Sequence, residues 1–242
     1  MPRFSLVIPA YNEELLLPRL LDTVEVARRS YRGGPQEVEI VVADNGSTDR
    51  TVEIARTAGA VVAQVEPRII AAVRNGGAAV ASGDHLCFID ADSRLHPLTF
   101  DALDDALDDP KIVGGATGVR LKRWSLGLTV TFAVVVPFVV MSRMDTGVVF
   151  CRREDFETIG GYNESRRFAE DLEFIWNLRR LGKARGQRLV RLTGVKAITS
   201  TRKFDTHGDW HYLTQLPRLL PMMFRSPEGI SDWARAYWYE DR

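Results

Sequence analysis

Leu86-Cys87-Phe88-Ile89-Asp90-Ala91-Asp92-Ser93 runs four apolar residues straight into two acids separated by one alanine. An apolar run of this length suits a strand buried on both faces of a parallel sheet. Ligands of open α/β sheets sit just beyond the carboxyl ends of such strands. In an extended chain, side chains at i and i+2 share a face, so Asp90 and Asp92 are expected to converge. Two converging carboxylates repel and call for a cation. A hard divalent ion, Mg²⁺ or Mn²⁺, fits, and such ions usually share their sphere with substrate phosphates. An exposed acidic turn after a strand would read the same way in this octet alone.

Outward from that stretch the chain alternates. Phe4–Ile8, Glu37–Ala43, Ala60–Val65 and Leu86–Asp90 read as strands. Between them lie expected helices Glu13–Ser30, with Asn12 as its N-cap, Arg50–Ala58, preceded by the cap-type residues Ser47, Thr48 and Asp49, and Ile70–Ala81. Short links between strands and helices predict an α/β fold with a mostly parallel, doubly wound, Rossmann-like sheet and helices on both faces. Beyond Pro97 the expected elements are helix Leu98–Leu107, strands Lys111–Arg120 and Thr146–Arg152, helix Glu170–Leu181 and strand Gln187–Thr199. The Glu170 helix is expected to carry Leu172, Ile175, Trp176 and Leu181 along one side and to stop at Gly182.

The 242 residues suffice for one large α/β domain with a sizeable core. The expected organisation is a single domain, with residues 1–97 as one half, 98–210 as the other and 211–242 as an aromatic tail. Basic and acidic residues balance at 32 each, which argues against nucleic acid as a partner, since that needs a basic excess. Cys87 and Cys151 lie in apolar runs and read as buried thiols. The first apolar run is too short for a secretory signal, so the expected location is the cytoplasm, with peripheral contact at the inner face of the cell membrane.

Three strand ends carry polar residues: Pro9–Glu13, Asp44–Asp49 and Asp90–Asp92. In a doubly wound sheet they share one edge and line one crevice. No glycine-rich phosphate loop of the Gly-x-Gly-x-x-Gly or Gly-x-x-x-x-Gly-Lys type occurs, so a metal or basic side chains must neutralise phosphate.

Val7-Ile8-Pro9-Ala10-Tyr11-Asn12-Glu13-Glu14, Asp44-Asn45-Gly46-Ser47-Thr48-Asp49-Arg50-Thr51, Arg74-Asn75-Gly76-Gly77 and Asp90-Ala91-Asp92 resemble, in this order, the family 2 glycosyltransferases of the GT-A fold. Ile159-Gly160-Gly161-Tyr162-Asn163-Glu164 and Ala169-Glu170-Asp171-Leu172-Glu173-Phe174 resemble the family's acceptor-side block. The resemblance spans about residues 4–210 and implies an inverting transferase using a nucleoside-diphospho-sugar donor and a divalent cation, with residues 1–97 as the nucleotide-sugar-binding half and 98–210 as the acceptor-binding and catalytic half. It implies that Tyr11 and Glu13 line the nucleotide pocket, with Pro9 and Ala10 shaping its loop. Asp44 would hydrogen-bond the base, most often uracil, Asp90 would sit near ribose or sugar, and Arg74 near the donor. Asp92 would bind the metal. Asp171 would take the acceptor hydroxyl's proton, with Glu170 as second choice. A helix N-terminus favours carboxylates, so Asp171 is expected to stay ionised.

Downstream, Arg202 and Lys203 are expected to pair with the diphosphate. His207 would complete the metal sphere, as a C-terminal histidine does in some relatives. An exposed basic loop is the alternative for this stretch. Ser125–Met141 is as apolar as a membrane segment but short and broken by Pro137. A buried helix, a membrane-contacting element or an acceptor-binding element would all account for it. Leu213–Phe224 and the tail aromatics Trp233, Tyr237, Trp238 and Tyr239 suit membrane contact or a homodimer surface. Gln215-Leu216-Pro217-Arg218 is followed by Leu219, not by the tryptophan of polymerising synthases, which favours transfer of one sugar. The acceptor is left open as lipid-linked, saccharide or small molecule. A degenerate nucleotide-sugar-binding module and a sugar-phosphate nucleotidyltransferase are the rival readings. The latter would need a glycine-rich basic loop that Pro9–Glu14 is not.

Overall fold

The computed structural model describes residues 1–66, 68–131, 133, 146–165, 170–210 and 214, without the side chains of Lys203 and His207. Most of Ser125–Met141 and of the tail, including Leu213–Phe224 apart from Thr214, lies outside these residues. Among the described residues seven strands form one sheet: β1 Phe4–Ala10, β2 Val38–Asp44, β3 Val61–Gln64, β4 His85–Phe88, β5 Ile112–Leu121, β6 Val149–Arg152 and β7 Arg188–Thr199. Their order is β3-β2-β1-β4-β6-β5-β7. Only β6 runs against its neighbours, so the carboxyl ends of the other six strands share an edge.

Alternating side chains feed two cores. Phe4, Leu6 and Ile8 point to one face, with Leu17, Leu20 and Val24 of α1 (Leu17–Ser30), Ala55 of α2 (Thr51–Thr57) and Phe100 and Leu103 of α4 (Thr99–Asp108). Val7, Leu86 and Phe88 point to the other, with Ala71 and Ala78 of α3 (Ile70–Val80), Phe156 of α5 (Arg153–Thr158) and Phe174, Ile175 and Leu178 of α6 (Glu170–Ala184). Helices therefore cover both faces, as the alternation predicts. Cys87 and Cys151 are free and buried. A short helix α7 (Arg202–His207) follows β7.

Local chemistry overturns several expected boundaries. The first strand continues through Pro9 to Ala10, because β1 pairs with β2 along its whole length but with β4 only over Phe4–Val7. Pro9 thus sits where one side of β1 has no partner strand, and its missing N–H costs no ladder bond. Helix α1 starts at Leu17 with Pro18 in its first turn, and Asn12 caps nothing there. Asn12 instead adopts φ 51° and accepts the Thr48 N–H at 2.9 Å, stapling the β1–α1 and β2–α2 loops together. Gly182 is no helix stop: it lies buried inside α6, packed closely on Val113. The α6 helix ends at Ala184, and Gly186, at φ 69°, takes the turn. Leu172 and Trp176 are exposed on α6, whose buried side is Phe174, Ile175 and Leu178.

Candidate active site

Strand β4 ends at Phe88, so Asp90 and Asp92 stand on a turn closed by the Ser93 N–H to Asp90 carbonyl bond at 3.0 Å. The extended strand expected to carry both acids thus stops short of them, and Arg202 still feels the charge of both Asp92 and Asp90. In ion pairs each acid meets a different arginine.

Arg74 of α3 is one hub. Its side chain is 5% exposed and holds Asp90 at 3.0 Å, Glu170 at 2.9 Å and Asp171 at 2.7 Å. The guanidinium also lies 5.2 Å from the centre of the Tyr162 ring, which stacks on Phe174 at 4.3 Å. A buried cation needs such pairing to offset its lost hydration, and the three acids keep Arg74 protonated. One side chain thereby ties the acidic turn after β4 to the first turn of α6, 80 residues apart in sequence at Asp90 and Glu170.

Asp171 is pushed up to about 7 by burial, with Arg74 pulling against this and the Glu170 and Asp90 charges adding to it. Burial outweighs the helix N-terminus, so the expectation of a firmly ionised Asp171 is not met. The side chain keeps 21% of its exposure and opens to the site. A carboxylate poised there exchanges protons near neutrality, as a general base requires.

Arg202 is the second hub. It forks onto Glu13 at 3.1 and 3.2 Å and reaches Asp92 at 3.6 Å. Glu13 is buried and does not begin a helix; its backbone N–H is held by Thr51 Oγ1 at 2.8 Å. Glu14 also lies in this loop, where its carboxylate accepts the Arg50 N–H at 3.2 Å. Asp49 accepts the Thr51 N–H at 2.9 Å and the Glu14 N–H at 3.1 Å, one residue ahead of Arg50, which is the N-cap of α2. Asp44, at the end of β2, is buried and accepts N–H bonds from Gly46 and Ser47. Tyr11 lies half-buried at the mouth under the Arg68 guanidinium, 4.7 Å from its ring centre. Pro9 and Ala10 belong to β1 itself and bring the loop to this edge.

Lys203 and His207 lie on α7, and the expected diphosphate and metal contacts of their side chains fall outside the described residues. Among the described residues no cluster of three metal-type ligands gathers. Asp92 nevertheless supplies a hard carboxylate, 24% exposed, at the open edge. A divalent ion that shares its sphere with substrate phosphates needs only one or two such groups, so the donor set fits Mn²⁺ or Mg²⁺.

Three contributors escape a reading of charges alone. Asn75 accepts the Tyr162 N–H at 2.9 Å and donates to the Tyr162 carbonyl and to Glu164, each at 2.8 Å. It clamps the Gly160-Gly161-Tyr162 turn that supports Arg74. Tyr162 itself is a buried platform, and Arg68 joins the mouth only through the β3–α3 loop. The Asn next to Arg74 and the Gly-Gly-Tyr triplet were the available signals.

A mostly parallel α/β sheet with acidic loops collected at its carboxyl edge and an acid-bearing helix facing them is the GT-A architecture. The chain belongs to glycosyl transferase family 2, whose sequence model matches residues 5–186. It is 30% identical over 207 residues to the succinoglycan biosynthesis protein ExoA of Rhizobium meliloti, covering 74% of this chain and 58% of that one. It is 38% identical over 103 residues to a validoxylamine A glucosyltransferase of Streptomyces hygroscopicus, covering 37% of this chain and 20% of the relative. The chain thus spans well under two thirds of either relative. Among solved structures it resembles the mannosyltransferase PcManGT of Pyrobaculum calidifontis in complex with GDP-Man and Mn²⁺, with a TM-score of 0.65, 19% identity, and 98% of this chain and 74% of that chain covered. It also resembles S. aureus TarS in complex with UDP-GlcNAc, with a TM-score of 0.64, 20% identity, and 84% and 59% covered.

Proposed function

We propose that this chain transfers one hexosyl group, with inversion, from a nucleoside-diphospho-sugar, UDP-linked in our reading, to an acceptor hydroxyl. The observation that carries the reading is the Arg74 hub, which brings Asp90 and Asp171 to one point. A single in-line displacement needs a base on the acceptor side and charge stabilisation at the leaving diphosphate. In this reading Asp171 accepts the acceptor hydroxyl's proton as its oxygen attacks the anomeric carbon, and the bond to the diphosphate breaks on the opposite face. Glu170 keeps Arg74 company and is the second choice of base. Asp44 would receive a uracil N–H: a carboxylate offers about four acceptor positions, and the Gly46 and Ser47 bonds leave room. Tyr11 and Glu13 would border the nucleotide, Asp90 the ribose or sugar, and Arg202 and Lys203 the diphosphate.

Mn²⁺ or Mg²⁺ on Asp92, with His207 as a further ligand, would neutralise the departing diphosphate. TarS with UDP-GlcNAc and PcManGT with GDP-Man and Mn²⁺ support a nucleotide-sugar donor and a divalent ion. Among the described residues no helix is long and apolar enough to cross a membrane. Exposed Trp124, Leu126 and Trp210 support peripheral contact with the inner membrane face. The acceptor would be lipid-linked, a saccharide or a small molecule, and the aromatic tail would serve self-association.

The test is thermal stability against UDP, GDP and their sugars with and without Mn²⁺, followed by donor turnover. A ligand at about 100-fold over its Kd raises stability by about 2.7 kcal/mol. We expect a metal-dependent shift for uridine ligands, and turnover reduced about 10²–10⁴-fold in Asp171→Asn with donor binding intact. No shift with any ligand, or unchanged turnover in Asp171→Asn, would refute the reading.

A further inference from the structure

Beyond Asp92, a shallow pocket gathers three cations: Arg19 from α1, Arg94 just past the acidic turn, and Lys122 immediately after β5. Ser93, Thr199 and Asp92 share its lining. None of the three cations forms an ion pair or side-chain hydrogen bond among the described residues. The next residue behaves differently: Arg123 pairs with both Asp205 and Asp209 at 2.6 Å. Neutralisation was therefore within reach of this segment, yet the pocket cations were left without it. Asp92 is the carboxylate in the lining, and it is shared with Arg202 at 3.6 Å.

Like charges collected in a concave site raise one another's energy and focus a field that an anion relieves. Arginine adds a planar fork matched to phosphate oxygens. The Ser93 and Thr199 hydroxyls lie 3.2 Å apart, so one donates to the other and one O–H stays available. Arg19 reaches the pocket from α1, which follows the β1 loop, whereas Lys122 follows β5 and Thr199 ends β7, both across β4 from β1 and β2 in the sheet. Asp92 stands between them.

We propose that this pocket binds the phosphate group of a phosphorylated acceptor, anchoring it beside the Asp92 turn. The proposal rests on the glycosyl-transfer reading above. The same phosphate chemistry is carried by soluble esters and by lipids, and exposed Trp124, Leu126 and Val130 beyond Lys122 offer an apolar rim for the latter.

Calorimetric titration of the full chain tests this with five probes: glycerol 3-phosphate, geranyl phosphate, the neutral alcohol of each, and UDP with Mn²⁺. We expect a phosphate ester to bind and its alcohol not to. Arg94→Ala combined with Lys122→Ala should weaken the ester about tenfold or more while UDP affinity stays within about twofold. Lys122→Glu, made on an exposed side chain, repeats the test without touching Arg94, whose backbone exchanges hydrogen bonds with that of Ile198 at 2.8 and 3.0 Å. Equal binding of both esters assigns the pocket to the phosphate group alone, and binding of geranyl phosphate only assigns it to a lipid phosphate; either supports the proposal. Absence of ester binding, or ester binding indifferent to both variants, overturns it. Equal losses of UDP and ester would make the pocket a donor-diphosphate site and also overturn it. If wild-type protein ignores UDP yet binds the ester in a charge-dependent way, the transferase reading has failed, and the acceptor role falls with it.

Discussion

Arg74 carries more of this site than any acid in it. With its side chain 5% exposed, it is the described counter-charge to Asp90, Glu170 and Asp171 together. Removing one partner of a buried ion pair costs about 3–5 kcal/mol because uncompensated charge is left behind. Arg74→Ala should destabilise by about that amount in denaturant unfolding, and should push Asp171 to take up its proton at still higher pH. For Asp171 the pH dependence has two opposite signs. Its carboxyl is raised from 3.8 to about 7, so between these values the folded state holds a proton that the unfolded chain has released. Its contribution to stability is present at low pH and fades as pH rises through about 7. Activity runs the other way, because only the ionised form accepts a proton. Turnover should therefore climb through about pH 7, while wild type should lose stability relative to Asp171→Asn as pH rises from about 4 to about 7 and level off above it. A turnover profile flat from pH 5 to 8 would contradict the assignment of Asp171 as base.

At the level of elements, α3 must lie close to the sheet for Arg74 to reach its acids. Gly77, one turn beyond Arg74, permits this approach: a Cβ there would stand 2.4 Å from Val7 Cγ1 and 3.1 Å from Ala43 Cβ. Both neighbours belong to buried strands and have little freedom to yield. Gly77→Ala would gain helix propensity yet should still lose about 1–3 kcal/mol through overpacking, with turnover falling as the helix lifts. Denaturant midpoints and donor turnover of the same variant check both effects. Gly46, at φ 77° with open space around it, serves turn geometry instead.

In the whole molecule the two halves expected from the sequence share one sheet. Strand β4 of the first half pairs with β6, and β6 with β5, both from the second. A fragment of residues 1–97 would expose the β4 edge and the apolar side chains of Leu86 and Phe88, which Val149, Cys151 and Phe174 otherwise help to cover. Such an edge invites association. We expect the fragment to aggregate and the full chain to unfold in one transition. A monomeric fragment with a cooperative melt would show that the nucleotide half is an independent domain.

The alternation of apolar runs with helix-forming segments was legible because burial leaves a period in the sequence whatever the later contacts are. The strand sequence, the helices on both faces and the polar strand ends all follow from it. The acids of the site were also visible, since Asp90, Asp92, Glu170 and Asp171 stand at element ends in recognisable blocks. Partnership was not visible. Which arginine Asp90 and Asp92 each meet depends on where β4 stops, and that depends on its neighbours. Asn12 looked like a cap because its type suits one, but the loop after β2 claimed it. Asp171 looked ionised beside a helix terminus, yet burial raised its proton affinity against the pull of Arg74. Periodicity is a local property of the chain, whereas pairing, exposure and proton affinity belong to groups that meet only after folding.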